Sequence, residues 1–237
     1  DLNLIGKFPE RLKPLSLAPD IDTKKYFPSY DQINTDISKF KLSVYNPSDY
    51  VKEEYLSKYP EIARDVSVLK DQRSREHYLI GMMRVNFLKR LESSIESFEI
   101  TMERTIDKIE KLIHRISDFD PEKTEDPGFY DSQVNDFEDE EIDELMEQMT
   151  VGKKLVFQLR HLDLERWQKD LQEDKNQLVK LHEAAAAVTR ERDAKLKELK
   201  TLIKTKIESP INPGNKKVLV FTAFSDTADY LYESLKD

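Results

Sequence analysis

The stretch FLKRLESSIESFEITMERTIDKIEKLIHRISDF, Phe87 to Phe119, decides how this chain folds. Leu88, Ile95, Met102, Ile109 and Ile116 recur every seven residues. Leu91, Phe98, Thr105, Leu112 and Phe119 repeat the interval three places on. Two rows offset in this way make one apolar seam along a helix, with a single polar slot at Thr105. No Pro or Gly interrupts Met82–Phe119, so the pattern predicts one helix over about 72–118, roughly 70 Å long at 1.5 Å per residue.

Downstream the same reading applies twice more. Leu164, Leu171, Leu178, Ala185, Arg192 and Leu199 form one row, and Trp167, Asp174, Leu181, Val188, Lys195 and Leu202 the other. They predict a second helix from about 153 to 208. Each seam needs an apolar partner, so the two helices, joined by about 30 residues, should fold back on each other. The predicted fold class is mainly α: a long antiparallel helical hairpin, coiled-coil-like, over 71–208. Pairing of each seam across two chains, as a homodimer, is the competing solution.

Between the helices lies an acidic segment. Residues 118–147 hold fourteen Asp/Glu against one base, Lys123. They carry −13 of a net −9, and the rest of the chain is mildly basic at +4. Such a run is expected to be a solvated tip over 118–150; autoinhibition or partner docking is the functional alternative. It lacks the Asp/Asn and Gly alternation of a Ca²⁺ loop. Its second half, Glu138–Met149, has the spacing of a short helix.

Upstream, 1–70 reads as a Pro-punctuated connector followed by short helices. Ser29 is placed to cap a helix through about Phe40 with Ile33 and Ile37 inward. Leu42–Tyr45 looks extended, Ser48 looks like a second cap for a helix to about Lys58, and Pro60 opens a third. At the far end, Ser209–Gly214 stops the second helix. Residues 209–237 then read as a βα unit. Lys216 and Lys217 lead into the apolar Val218–Thr222, predicted as a buried parallel strand, and Asp226–Lys236 follows at helical spacing.

Composition closes several routes. There are no Cys, so disulfides, thiolate metal sites and a Cys nucleophile are excluded. There are five Gly, and none makes a phosphate loop of the form Gly, four residues, Gly-Lys-Ser/Thr. Gly152-Lys153 is followed by Lys154 and preceded at the required distance by Glu147; Gly6-Lys7 is followed by Phe8. No apolar run approaches the ~20 residues of a membrane span, and no signal peptide opens the chain, which points to a cytoplasmic protein without a membrane partner. The first residue, Asp1, and the last, Asp237, inside a helical pattern, suggest a piece of something longer.

Three stretches resemble one family. Lys216-Lys217-Val218-Leu219-Val220-Phe221-Thr222-Ala223-Phe224-Ser225, continuing through Leu231, is similar to the first strand and helix of the second RecA-like lobe in superfamily-two helicases. Met83 to Ser94, with Leu88-Lys89-Arg90-Leu91-Glu92-Ser93-Ser94, looks like the stretch between the two ATPase lobes of bacterial Swi/Snf-like helicases. Tyr26–Tyr30 and Tyr45–Ser48 look like other parts of that region. The resemblance covers mainly 26–50, 83–98 and 216–236. It implies a non-catalytic segment of an ATP-dependent DNA helicase or translocase, with the two lobes and DNA as partners, and ATP and Mg²⁺ as cofactors of the parent. This chain itself is expected to bind neither. The P-loop is absent, and Asp143-Glu144-Leu145-Met146 imitates the acidic Mg²⁺ box with no apolar strand before it. The competing class is a coiled-coil scaffold that docks protein partners.

The candidate nucleic-acid-binding residues are Arg84, Lys89, Arg90, Ser93 and Ser94 on the first helix, and Thr222, Ser225 and Thr227 at the end of the predicted strand. Cations and hydroxyls are the groups that hold phosphate, and the C-terminal end of an open parallel sheet is where ligands bind. The plainer roles are surface pairing, such as Lys89 with Glu92, and capping of the last helix by Ser225. His161 and Glu165 are four apart but lack a third metal ligand, and Trp167 is expected in the core. No catalytic and no metal-ligating residue is assigned.

Overall fold

The computed structural model describes residues 9–62, 72–122, 128–130 and 155–236. Over these the protein is mainly α-helical. Its helices are α1 (Tyr30–Ser38), α2 (Gln72–Ser93), α3 (Ile95–Ser117), α4 (Leu164–Ala186), α5 (Ala194–Glu208) and α6 (Ser225–Leu235). Two short strands, β1 (Phe129–Tyr130) and β2 (Val156–Phe157), pair antiparallel. The Glu138–Met149 helix and Asp143–Met146 lie outside the described residues, as does most of the acidic segment.

The central pair is α3 against α4. Their contacts run in opposite order along the chain. Gln168 donates to Ser117 at 3.0 Å, Lys175 meets Glu110 at 2.7 Å, and His182 faces Glu99 at 3.9 Å. Between them lie the α3 and α4 parts of the predicted seams, whereas Leu202 of the second seam stands on α5 and is 43% exposed. Phe98, Met102, Ile109, Trp167, Leu171 and Leu178 are all fully buried. Burial of each such side chain contributes about 1.5–3 kcal/mol relative to exposure.

Neither long helix is continuous. The first breaks at Ser94, whose extended backbone (φ −156°, ψ 154°) separates α2 from α3. Its hydroxyl accepts from the Ser97 amide at 3.0 Å, so a serine cap outweighs a heptad pattern that runs straight through it. The second helix starts at Leu164, capped by Asp163, not at 153. It breaks again over 187–193, where Asp193 caps α5 by accepting from Leu196 at 2.9 Å.

That second break is clamped by the connector. Asp22 bridges Asp193, Thr23 donates to the Arg192 carbonyl at 2.8 Å and Ala194 to the Ile21 carbonyl at 3.2 Å. The buried Asp22 carboxylate accepts from the amides of Lys24, Tyr26 and Phe27 and pairs with the Arg192 guanidinium.

The base differs from its sequence reading in two places. Ser29 does cap α1. Leu42–Tyr45, however, is a tight turn with Leu42 at φ 52°, not an extended stretch. The cause is Asp174, one of the polar heptad slots. It is 1% exposed, and its carboxylate accepts from the amides of Lys41, Leu42 and Ser43 and from the Ser43 hydroxyl at 2.6–3.1 Å. Residues 47–58 form two short tight helical turns, not one helix. Ser48 bonds the buried Glu76 through its amide and hydroxyl and caps nothing.

The predicted strand over 218–222 is absent. Val218–Phe221 is irregular and exposed, with Phe221 at 89%. A parallel strand exists only between neighbours, and no described segment lies beside it in a ladder. The helix that follows, α6, does form and packs on α3.

Candidate nucleic-acid interface

The break at Ser94 and the start of α6 create a cleft of about 960 Å³ between the end of α2, the start of α5 and residues 220–231. Seven of the eight candidate residues are in direct or indirect contact around it. Lys89, Arg90, Ser93, Ser94, Thr222, Ser225 and Thr227 all line it, and Arg84 does not. Arg84 donates to the Phe40 carbonyl at 2.5 Å and ties α2 to the base.

Hydroxyls form the centre of the cleft. Ser93 Oγ lies 2.7 Å from Thr227 Oγ1 and 3.2 Å from Thr222 Oγ1, and Ser94 Oγ lies 2.9 Å from Thr227 Oγ1. Residues more than 125 positions apart thus share one hydrogen-bonded cluster. Thr227 and Ser94 are buried, while Thr222 and Ser225 are exposed. Ser225 does not cap α6. Phe224 holds the cap position without a side-chain bond, and Thr222 Oγ1 accepts from the Phe224 amide at 3.3 Å.

The cations divide into two kinds. Arg90 is buried and pairs with Asp226 at 2.6 Å. It also donates to Ser97 at 3.3 Å and stacks over the Phe224 ring at 4.2 Å. Asp226 takes a second, longer contact from Arg104 at 3.4 Å. Arg90 therefore ties α2 to the start of α6, which positions Ser225 at the first turn of that helix and Thr222 in the loop before it. Lys89 is exposed at the rim. Hydroxyls fringed by an exposed cation are groups that can hold an oxyanion.

Sequence reasoning missed three contributors. Lys195 lines the cleft and donates to the carbonyls of Glu92 and Ser93, the last of α2. Burial holds its ammonium below the ordinary lysine pKa. Asp193 and Tyr230 also line the cleft, the Tyr230 hydroxyl donating to Asp193 at 2.7 Å; burial, and then that carboxylate, push the phenol pKa up. The only signal for these residues was that Lys195 stands in an apolar heptad slot.

His161 is buried, its Nδ1 2.7 Å from the Tyr59 hydroxyl and its ring stacked on Tyr55 at 4.2 Å. No group of three metal-ligating side chains occurs among the described residues, and no described helix is long and apolar enough to cross a membrane. No family model, curated protein or solved structure matches the chain.

Proposed function

We propose that this chain is the inter-lobe helical segment of an ATP-dependent DNA helicase or translocase, and that the cleft beside Ser93 holds a nucleic-acid backbone. The observation that carries the reading is the meeting of Ser93 and Ser94 with Thr222 and Thr227 in one hydroxyl cluster. These residues come from two of the three stretches that resemble Swi/Snf-like helicases. The α3–α4 pair serves as the stiff antiparallel arm. The tether from Arg90 to Asp226 would carry displacement of α6 into α2, and so couple lobe movement to the arm. ATP and Mg²⁺ belong to the parent's lobes, since this sequence has no P-loop.

The rival scaffold reading needs a seam free to pair with another chain. Met102, Ile109, Leu171 and Leu178 are instead fully buried within one chain, which weighs against it. The test uses the intact gene product and duplex DNA. DNA-stimulated ATP hydrolysis that falls in S93A/T227V is the expected result. An intact protein whose hydrolysis of ATP does not respond to DNA would leave the scaffold as the better reading.

A further inference from the structure

The start of α5 carries a feature that the cleft does not use. Lys197, Lys200 and Lys204 are three and four residues apart, so they stand in one row on the helix. All three are exposed, as is Arg190 just before the helix. With Glu191, Leu196 and Thr201 they line a shallow groove of about 330 Å³.

This row is costly to the helix. Like charges at these spacings repel by a few tenths of a kcal/mol per pair. Relief is slight. Among the described residues neither Lys197 nor Lys200 lies within ion-pair distance of a carboxylate, and Lys204 reaches only Glu208 at 3.9 Å, both exposed. α5 holds five Lys against two Glu in a chain of net −9. Glu191 at the edge of the groove interacts with Lys200 and Arg190, and with Glu208 it offsets only part of the row, which keeps a surplus of positive charge open to an anion from outside.

The groove adjoins the cleft: the buried Leu196 lines both, so a polyanion lying in the cleft has the row next to it. Along α5 the three lysines span about 10 Å at 1.5 Å per residue. Three successive phosphates of one duplex strand cover about 7 Å of axial rise, so the row is long enough to reach three or four of them.

We infer that Lys197, Lys200 and Lys204 form a second nucleic-acid contact, a phosphate-backbone track that extends the hydroxyl cleft across α5. It rests on the reading of the cleft as a nucleic-acid site and adds residues outside it. The contact is electrostatic and indifferent to base sequence, because lysines on an open helix face present point charges and no geometry for reading bases.

The measurement is duplex affinity by fluorescence anisotropy with a labelled 20-base-pair DNA, from 50 to 300 mM KCl. For each phosphate released, the slope of log K against log salt changes by about 0.9. K197Q/K200Q/K204Q is expected to reduce the slope by about 2–3 and weaken binding at least tenfold at 50 mM salt. K197R/K200R/K204R, which keeps the charge, is expected to retain both, and so excludes a folding defect as the cause. S93A/T227V, which removes hydroxyls and no charge, is expected to weaken binding with the slope unchanged. If the wild-type protein binds and the glutamine variant keeps its slope, the track is wrong while the cleft stands. If the wild-type protein binds no duplex at 50 mM salt, both fall.

Discussion

Two buried aspartates do more for this structure than their positions in the sequence announce. Asp174 receives three amides and a hydroxyl from Lys41–Ser43, and Trp167 donates to the Ser43 carbonyl at 2.8 Å from two turns away on the same helix. Asp174→Ala would strand several buried donors at once. We expect a loss of about 3 kcal/mol, read as a shift of the urea midpoint, with Asp174→Asn intermediate. Asp22 gives a pH signature. The Arg192 guanidinium, helped by three backbone amides, holds its carboxyl well below the usual range despite burial. The folded protein thus binds this proton less readily than the unfolded chain. Its contribution is complete above the unfolded value of about 3.9 and is lost as pH falls towards the folded one. Asp22→Asn should therefore be less stable than wild type by a constant amount, about 2 kcal/mol, above pH 5. The gap should narrow steadily below pH 4 in denaturation series; a gap that stays constant to pH 2 would refute the pairing. Neither role was legible in the sequence. Asp174 read as a polar heptad slot, and its partners, like the Arg192 partner of Asp22, lie more than 130 positions away, beyond any local pattern.

At the scale of the element, the heptads located the apolar faces and misjudged the helix lengths. Leu88 and Ile95 keep the seven-residue interval across Ser94, yet they stand on two helices. Periodicity records which side chains are inward and is silent about the backbone between them. The Ser93-Ser94 pair did carry a signal, a capping side chain with an amide three residues on to bond, but it competed with four heptads. Because Ser94 both caps α3 and contacts Thr227, Ser94→Ala should cost about 1 kcal/mol for the cap and also loosen α6. Hydrogen exchange is the suitable probe. Amides of α6 should exchange faster in the variant, while those in the middle of α4 slow or speed only with global stability. Equal acceleration in both helices would mean that the hydroxyl cluster does not hold α6. Of the candidate site, the residue types were legible, and so was their division between two segments. Their meeting was not, because it depends on Arg90 reaching Asp226 across 136 positions.

Taken as a whole, the molecule buries the α3 and α4 parts of its seams and leaves a different apolar surface exposed. The interior takes in Phe27, Phe40, Phe87, Phe98, Phe157 and Trp167. The large exposed side chains among the described residues include Leu12 and Leu15 on the connector, and Leu219 and Phe221 at 81% and 89%. The sequence assigned Val218–Phe221 to a buried strand because its composition is that of one, four apolar β-formers in a row. Composition states a preference for burial; only a neighbouring strand can satisfy it. If the segment lies outside the core, substitution there should barely touch stability, in contrast to any change at Phe98 or Trp167. Leu219→Lys with Phe221→Asp is expected to change unfolding free energy by no more than about 0.5 kcal/mol, the usual range for surface sites. It should also lower any concentration-dependent association seen by light scattering, since a short, uncharged, β-prone stretch is a site for strand pairing between chains. A loss of several kcal/mol in the double variant would instead put the segment back in the core.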